Sequence, residues 1–168
     1  MTTRTDIEAT LARWFAIDSI GLVGVFTGAY AAWPAGVFND YSSVDAADEF
    51  LAAAPAITTG IPSARNREPP PSPRPLWDTP IDFAMIEAAR GLFSFDAELG
   101  YGGSTIYYLD ASPATPLLVR DAHPIIQRAA RLVVFSRVSF CSVEKIDLAE
   151  HVPFVAGNGR RPPIYRLG

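Results

Sequence analysis

The chain contains one thiol and two imidazoles, the side chains from which a nucleophile and its general base can be built. They belong to Cys141, His123 and His151. A cysteine becomes a nucleophile when a neighbouring histidine takes its proton. No catalytic signature surrounds Cys141, and a free cysteine is commonly a buried structural side chain. We therefore expect no catalytic residues, and a small enzyme that uses Cys141 with His123 is the alternative interpretation.

The sequence lacks the residue spacings that metal and cofactor sites need. Neither a C-x-x-C pair nor an H-E-x-x-H helix occurs, so we expect no metal site. The glycines at 100, 102 and 103 belong to no strand–glycine–helix unit, which predicts no dinucleotide cofactor. Asp96, Glu98 and Asp110 flank this region and would work as acid and base only if folding brings two carboxyl groups within about 5 to 10 Å.

Aromatic and acidic residues are concentrated between residues 33 and 49. Tyr and Trp anchor protein interfaces, and carboxylates attract a basic partner. The alternative interpretation is that most of these aromatic rings pack in the core. The partner-binding residues predicted from this pattern are Trp33, Phe38, Asp40, Tyr41, Asp45, Asp48, Glu49 and, in a second aromatic connector, Tyr101.

The charge and cysteine content restrict the partners and the compartment. The formal net charge is -4, and affinity for nucleic acid comes mostly from clustered Lys and Arg, so we expect no nucleic-acid partner. A single cysteine forms no internal disulfide, which favours a reducing compartment. The first 13 residues carry acids and lack the apolar run of a signal peptide. We expect a cytoplasmic protein, and the preference for Arg over Lys indicates bacterial origin.

One uncharged run, residues 19–38, is long enough to cross a bilayer as a helix. It contains Pro34 and four glycines, and its Val, Phe, Thr and Tyr residues favour strands. A membrane span is the alternative interpretation of this run. We interpret it as part of a buried β-hairpin and expect no membrane partner.

Capping residues and apolar spacing predict the helices. A capping box at Thr5 and Glu8 opens the first, and strong helix formers predict a second from Ser42 to about Pro55. A Thr-Pro start at residues 79–80 opens a third that ends at Gly91. A fourth covers residues 124–132, with Asp121 or His123 as its cap.

Strand composition predicts an α+β fold with a mostly antiparallel sheet of about five strands and three or four packed helices. Seven prolines between residues 60 and 80 predict a surface loop with no strand. We expect a single α+β domain over residues 1–168. The predicted strands are residues 15–17 and 22–26, which form a hairpin, together with 92–95, 105–109, 116–119 and at least one strand within 132–143.

The N-terminal quarter resembles small bacterial immunity-type proteins. The resemblance lies in Trp14-Phe-Ala-Ile-Asp18, followed by Gly21-Leu-Val-Gly-Val-Phe26 and a loop that bears Gly and Pro. It implies a cytoplasmic protein-binding module, an immunity protein that neutralises a toxin by occluding its basic active-site cleft. Besides the Cys/His enzyme, an accessory subunit without catalysis is the other alternative.

Overall fold

A computed structural model describes residues 13–28, 31–66, 81–97 and 104–157. These residues form four α-helices and eight strands, which confirms the α+β class. The helices are α1 (Tyr41–Ala53), α2 (Ile81–Ala89), α3 (Pro124–Ala130) and α4 (Leu148–His151). The strands are β1 (Arg13–Ile17), β2 (Val23–Thr27), β3 (Trp33–Pro34), β4 (Gly60–Pro62), β5 (Phe93–Ala97), β6 (Ile106–Pro113), β7 (Lys145–Asp147) and β8 (Phe154–Val155).

The main sheet has the strand order β1-β2-β5-β6-β4. Strand β7 also pairs with β6, at residues 106–108, whereas β4 pairs with residues 111–113. Strands β2 and β5 are parallel, whereas the other pairs are antiparallel, so the sheet is mixed. Strands β3 and β8 form a separate two-stranded sheet. The prediction of about five strands is close, since β4 and β7 have only three residues each.

The N-terminal hairpin is confirmed, and a buried carboxylate shapes its turn. Strands β1 and β2 pair from Arg13 with Thr27 to Ile17 with Val23. Between them, Asp18 Oδ1 accepts the N–H groups of Ile20 and Leu22 at 3.1 and 2.9 Å. Gly21 supplies the positive φ of 90° that the turn requires. Within the described residues, no helix is both long and apolar enough to span a membrane.

An aromatic cluster covers one face of the sheet, here called the aromatic face. Phe26 stacks on Trp14 with ring centroids 4.0 Å apart and on Phe95 at 4.6 Å. The rings of Phe135 and Phe140 pack against Phe26 on the aromatic face. Aromatic pairs in these geometries stabilise a core beyond the area that they bury.

Helices α1 and α2 lie on the opposite face, here called the helical face. Side chains alternate along a strand, so Ser94 points away from Phe93 and Phe95. Ser94 donates its hydroxyl to Glu87 of α2, which places α2 on this face. Ala84 and Ala88 of α2 pack against Ala111 in a small second cluster. The small side chains bring α2 close to the sheet.

Three predicted strand or loop assignments are wrong. Gly60–Pro62 is a strand, because the edge of a sheet tolerates proline and β6 offers its free side to this segment. Residues 116–119 form only an isolated bridge between Leu118 and Leu22. No strand forms in residues 132–143, where Val134 makes a single bridge to Ile17. Turns in this segment nevertheless bury Val138 and Phe140.

The predicted helices at Ser42, in residues 81–91 and in residues 124–132 are confirmed as α1, α2 and α3. His123 is the cap of α3, since its Nδ1 accepts the N–H of Ile125. The predicted helix at Thr5 lies outside the described residues. The same holds for the Thr-Pro start at 79–80 and for residues 67–80 of the predicted proline-rich loop.

Candidate functional site

The predicted aromatic residues pack mainly against each other. Trp33 is buried, and its Nε1 donates to the carbonyl oxygen of Gly28 at 2.7 Å. The half-buried rings of Phe38 and Tyr41 lie 6.2 and 6.3 Å from the Trp33 ring. Trp33 is therefore a core residue whose ring is not offered to a partner. Tyr101 lies outside the described residues.

Asp40 stabilises the N-terminal end of α1 and connects this helix to α3. Its carboxylate accepts the hydroxyls of Ser43 and Ser42 at 2.6 and 2.9 Å. Arg128 of α3 donates its Nε to the same carboxylate at 2.9 Å. The two serine hydroxyls, and then Arg128, lower the pKa of Asp40 from its usual 3.8 to about 2. Asp40 was predicted to bind a partner, but these contacts give it a structural role.

Replacing Asp40 with asparagine is expected to destabilise the protein in a pH-dependent way. Because its pKa is lowered on folding, Asp40 stabilises the folded state above pH 3.8, and this contribution is lost as the pH falls to about 2. The melting temperatures of the wild type and Asp40→Asn should therefore converge in acid. Glu49→Gln, which removes one negative charge from α1, is the control. A melting-temperature gap that is independent of pH would contradict this role.

Asp48 joins a mostly buried charge network between α1 and α2. Arg13 Nε lies 2.6 Å from Asp48 Oδ1, and Arg13 Nη1 donates to Glu87 Oε1 at 2.6 Å. Ser94 donates to the second Glu87 oxygen at 2.5 Å. Burial raises the pKa of Glu87, although Ser94 and Arg13 act in the opposite direction. Burial alone lowers the pKa of Arg13, but Glu87 and Asp48 raise it above its usual value.

Two arginine bridges connect α1 and α2 and indicate that the two helices run in the same direction. Arg13 connects Asp48 with Glu87, and near the helix ends Arg90 donates to the carbonyl oxygens of Ala54 and Ala52 at 2.9 and 3.2 Å. The two contacts have nearly the same sequence offset.

The solvent side of this helix pair combines two acids with two large apolar side chains. Asp45 and Glu49 lie one turn apart on α1 and are exposed. Phe83 and Ile86 lie about one turn apart on α2 and are 57% and 47% exposed. Because Arg13 bridges Asp48 and Glu87, these two pairs of side chains lie on neighbouring helices. We call these four residues the acidic–apolar face.

The acids of this face differ in their contacts. Asp45 interacts with the hydroxyl of Tyr41, one turn earlier on α1, and burial together with this carboxylate raises the pKa of Tyr41. Glu49 makes no ion pair within the described residues. Of the predicted acids, Asp45 and Glu49 are therefore the ones that face solvent and contact no arginine of the described ranges.

Sequence reasoning placed Phe83 and Ile86 in a helix but did not predict their exposure. Their spacing is the same as that of a buried stripe, so periodicity alone cannot tell the two faces of α2 apart. The alanines at 84 and 88 are the available signal. Small side chains one turn apart mark where a helix approaches another element closely, and here that element is β6 at Ala111.

The structure gives Cys141 and His123 separate surroundings. Cys141 is exposed in a turn, and partial desolvation and the nearby Asp18 raise the pKa of its thiol. The ring of His123 stacks on Phe50 of α1 with centroids 4.3 Å apart. Neither side chain contacts the other in the part of the chain that the structure describes. A raised thiol pKa means less thiolate at neutral pH, which does not help a nucleophile.

The acids around the glycine-rich region lie on neighbouring strands. Asp96 of β5 pairs with Tyr108 of β6, and Asp110 lies two residues further along β6. Arg65 contacts Asp110 at 3.0 Å and lies over the Tyr108 ring at 4.9 Å. Glu98 lies outside the described residues. Among the residues that the structure covers, no cluster of His, Cys, Asp and Glu has the arrangement of a metal site.

Comparison of the chain with protein-family models, with curated proteins and with solved structures gives no match. The resemblance to immunity-type proteins therefore stays a prediction. The acidic–apolar face is the surface feature of the described residues that best supports a function.

Proposed function

We propose that this chain is a cytoplasmic protein-binding module whose binding surface is the acidic–apolar face. The observation that carries the proposal is the exposure of Phe83 and Ile86 on α2, next to a helix that exposes Asp45 and Glu49. Grouped exposed apolar side chains next to polar ones are typical of protein interaction sites. Single apolar residues scattered over a surface need no such explanation.

The two halves of the face have different tasks in binding. Phe83 and Ile86 supply the apolar area that a partner covers, and such anchors carry most of the free energy of an interface. Asp45 and Glu49 attract a basic surface, which raises the rate of association. The net charge of -4 extends this attraction over the whole chain. We propose that the partner is a bacterial toxin and that the face inhibits it by occluding a basic active-site cleft.

Variants of the face are expected to separate these tasks. With a toxin encoded beside this gene as the purified partner, Phe83→Ala with Ile86→Ala should weaken binding by about 100-fold, mainly through faster dissociation. Asp45→Asn with Glu49→Gln should mainly slow association and flatten its dependence on salt. Surface plasmon resonance at several salt concentrations measures both rates.

Ile20→Ala is the matched control, because Ile20 is also exposed but lies at the hairpin turn. Its binding should equal that of the wild type. Folded variants of the face that bind the toxin like the wild type would refute the proposal, and so would a toxin that remains active when bound. A dimer that dissociates on Phe83→Ala with Ile86→Ala, seen by light scattering, would assign the face to a second copy of the chain and also refute it.

A further inference from the structure

The acidic–apolar face consists of two parallel rows, one on each helix. Asp45 and Glu49 form the acidic row on α1, and Phe83 and Ile86 form the apolar row on α2. Each row extends over about one helical turn, or roughly 4.5 to 6 Å along the helix. Arg13 and Arg90 connect the two helices, so the two rows lie on neighbouring helices.

From this arrangement we infer that the partner contacts the face with an amphipathic helix that carries basic residues one turn apart. This inference rests on the proposed function and names the part of the partner that binds. A helix laid along the two rows presents side chains at i and i+4 with the same one-turn spacing. Its basic flank meets Asp45 and Glu49, while its apolar stripe covers Phe83 and Ile86. Binding of an amphipathic helix to an apolar surface is a recurrent form of recognition.

The contacts already present on the helices favour cations on the acidic row. Arg128 and Arg13 already neutralise Asp40, which precedes α1, and Asp48, which lies between Asp45 and Glu49 in sequence. Asp45 and Glu49 have no cation of this chain within the described residues. Two like charges one turn apart repel each other, so a partner with two matching cations relieves this repulsion. An acidic or uncharged helix gains nothing from this row.

Designed peptides test the chemistry of the partner with the full chain. The first probe is a helical peptide with Lys at i and i+4 beside a stripe of Leu. The second has Glu in place of both Lys, and the third has the composition of the first in an order that destroys the stripe. Fluorescence anisotropy measures the affinities, and NMR follows the Ile86 methyl groups and the amides of Asp45 and Glu49.

We expect the Lys peptide to bind about tenfold or more tightly than the Glu peptide and the reordered peptide. Asp45→Asn with Glu49→Gln should remove the difference between Lys and Glu peptides. Phe83→Ala with Ile86→Ala should weaken binding of the Lys peptide, and Ile20→Ala should leave it unchanged. NMR shifts should be confined to α1 and α2.

Each contrary result has a separate meaning. Equal binding of the Lys and reordered peptides, or shifts elsewhere on the chain, would overturn the inference. Ile86 signals that change without peptide when residues 1–11 are deleted would assign the face to the chain's own N-terminal segment and also overturn it. A toxin that binds through the face but is not displaced by the Lys peptide would overturn the inference alone. A toxin insensitive to the face variants would instead refute the proposed function.

Discussion

Asp18→Ala is expected to lower the free energy of unfolding by about 4 kcal/mol, since a hydrogen bond to a charged group contributes about 1.5 to 3 kcal/mol and buried donors left unpaired add a cost. Asp18 Oδ1 accepts two N–H groups of the hairpin turn, and Oδ2 accepts the N–H of Phe140 at 2.9 Å. The side chain is almost fully buried. Alanine therefore leaves three backbone donors without this acceptor, two of them buried.

Urea denaturation followed by tryptophan fluorescence measures this loss. Asp18→Asn is the matched control, because its single carbonyl oxygen can keep the two turn contacts while its amide cannot accept from Phe140. Its stability should lie between those of the wild type and Asp18→Ala. A loss of less than about 1 kcal/mol for Asp18→Ala would show that water or a shifted backbone replaces the carboxylate.

Phe26→Ala is expected to cost about 3 to 5 kcal/mol, the usual range for removing a buried aromatic ring. Phe26 is fully buried at the centre of the aromatic face and stacks on both Trp14 and Phe95. Its removal takes away the ring between two others and leaves a cavity that the rigid strands β1, β2 and β5 cannot close. Urea denaturation should show a lower midpoint with little change in slope.

Phe83→Ala makes the same chemical change on an exposed position of α2 and is the control. It should alter stability by no more than about 0.5 kcal/mol. Phe26→Leu should fall between the two, because it retains most of the buried volume. If Phe26→Ala and Phe83→Ala cost the same, the stacked cluster would not be the centre of the core.

Some features follow from short stretches of sequence. The hairpin was predictable because Asp18 and Gly21 provide a turn acceptor and a positive φ between two runs of strand formers. Helix α3 was predictable because its cap and Pro124 act within one turn of its start. Such signals involve neighbours in the chain and therefore need no tertiary partner to be understood.

Other features depend on partners that are distant in sequence. Gly60–Pro62 is a strand only because Pro113, Ser112 and Ala111 of β6 lie alongside it. Residues 132–143 have strand composition, but their backbone makes a single β-bridge, to Ile17, and the segment forms turns. Local composition cannot predict which sheet edge a segment will meet.

The candidate site shows the same division. Asp45 and Glu49 were predictable as surface acids from the composition of α1. The sequence pattern determined that Phe83 and Ile86 belong to a helix, but the close packing of Ala84 and Ala88 on Ala111 decided that the two larger side chains face solvent. Tertiary structure likewise decided which acids are neutralised, because Arg13 and Arg128 are 35 and 88 residues away from their carboxylates Asp48 and Asp40. Ion pairs and helix orientation form between distant segments, and only the folded chain brings those segments together.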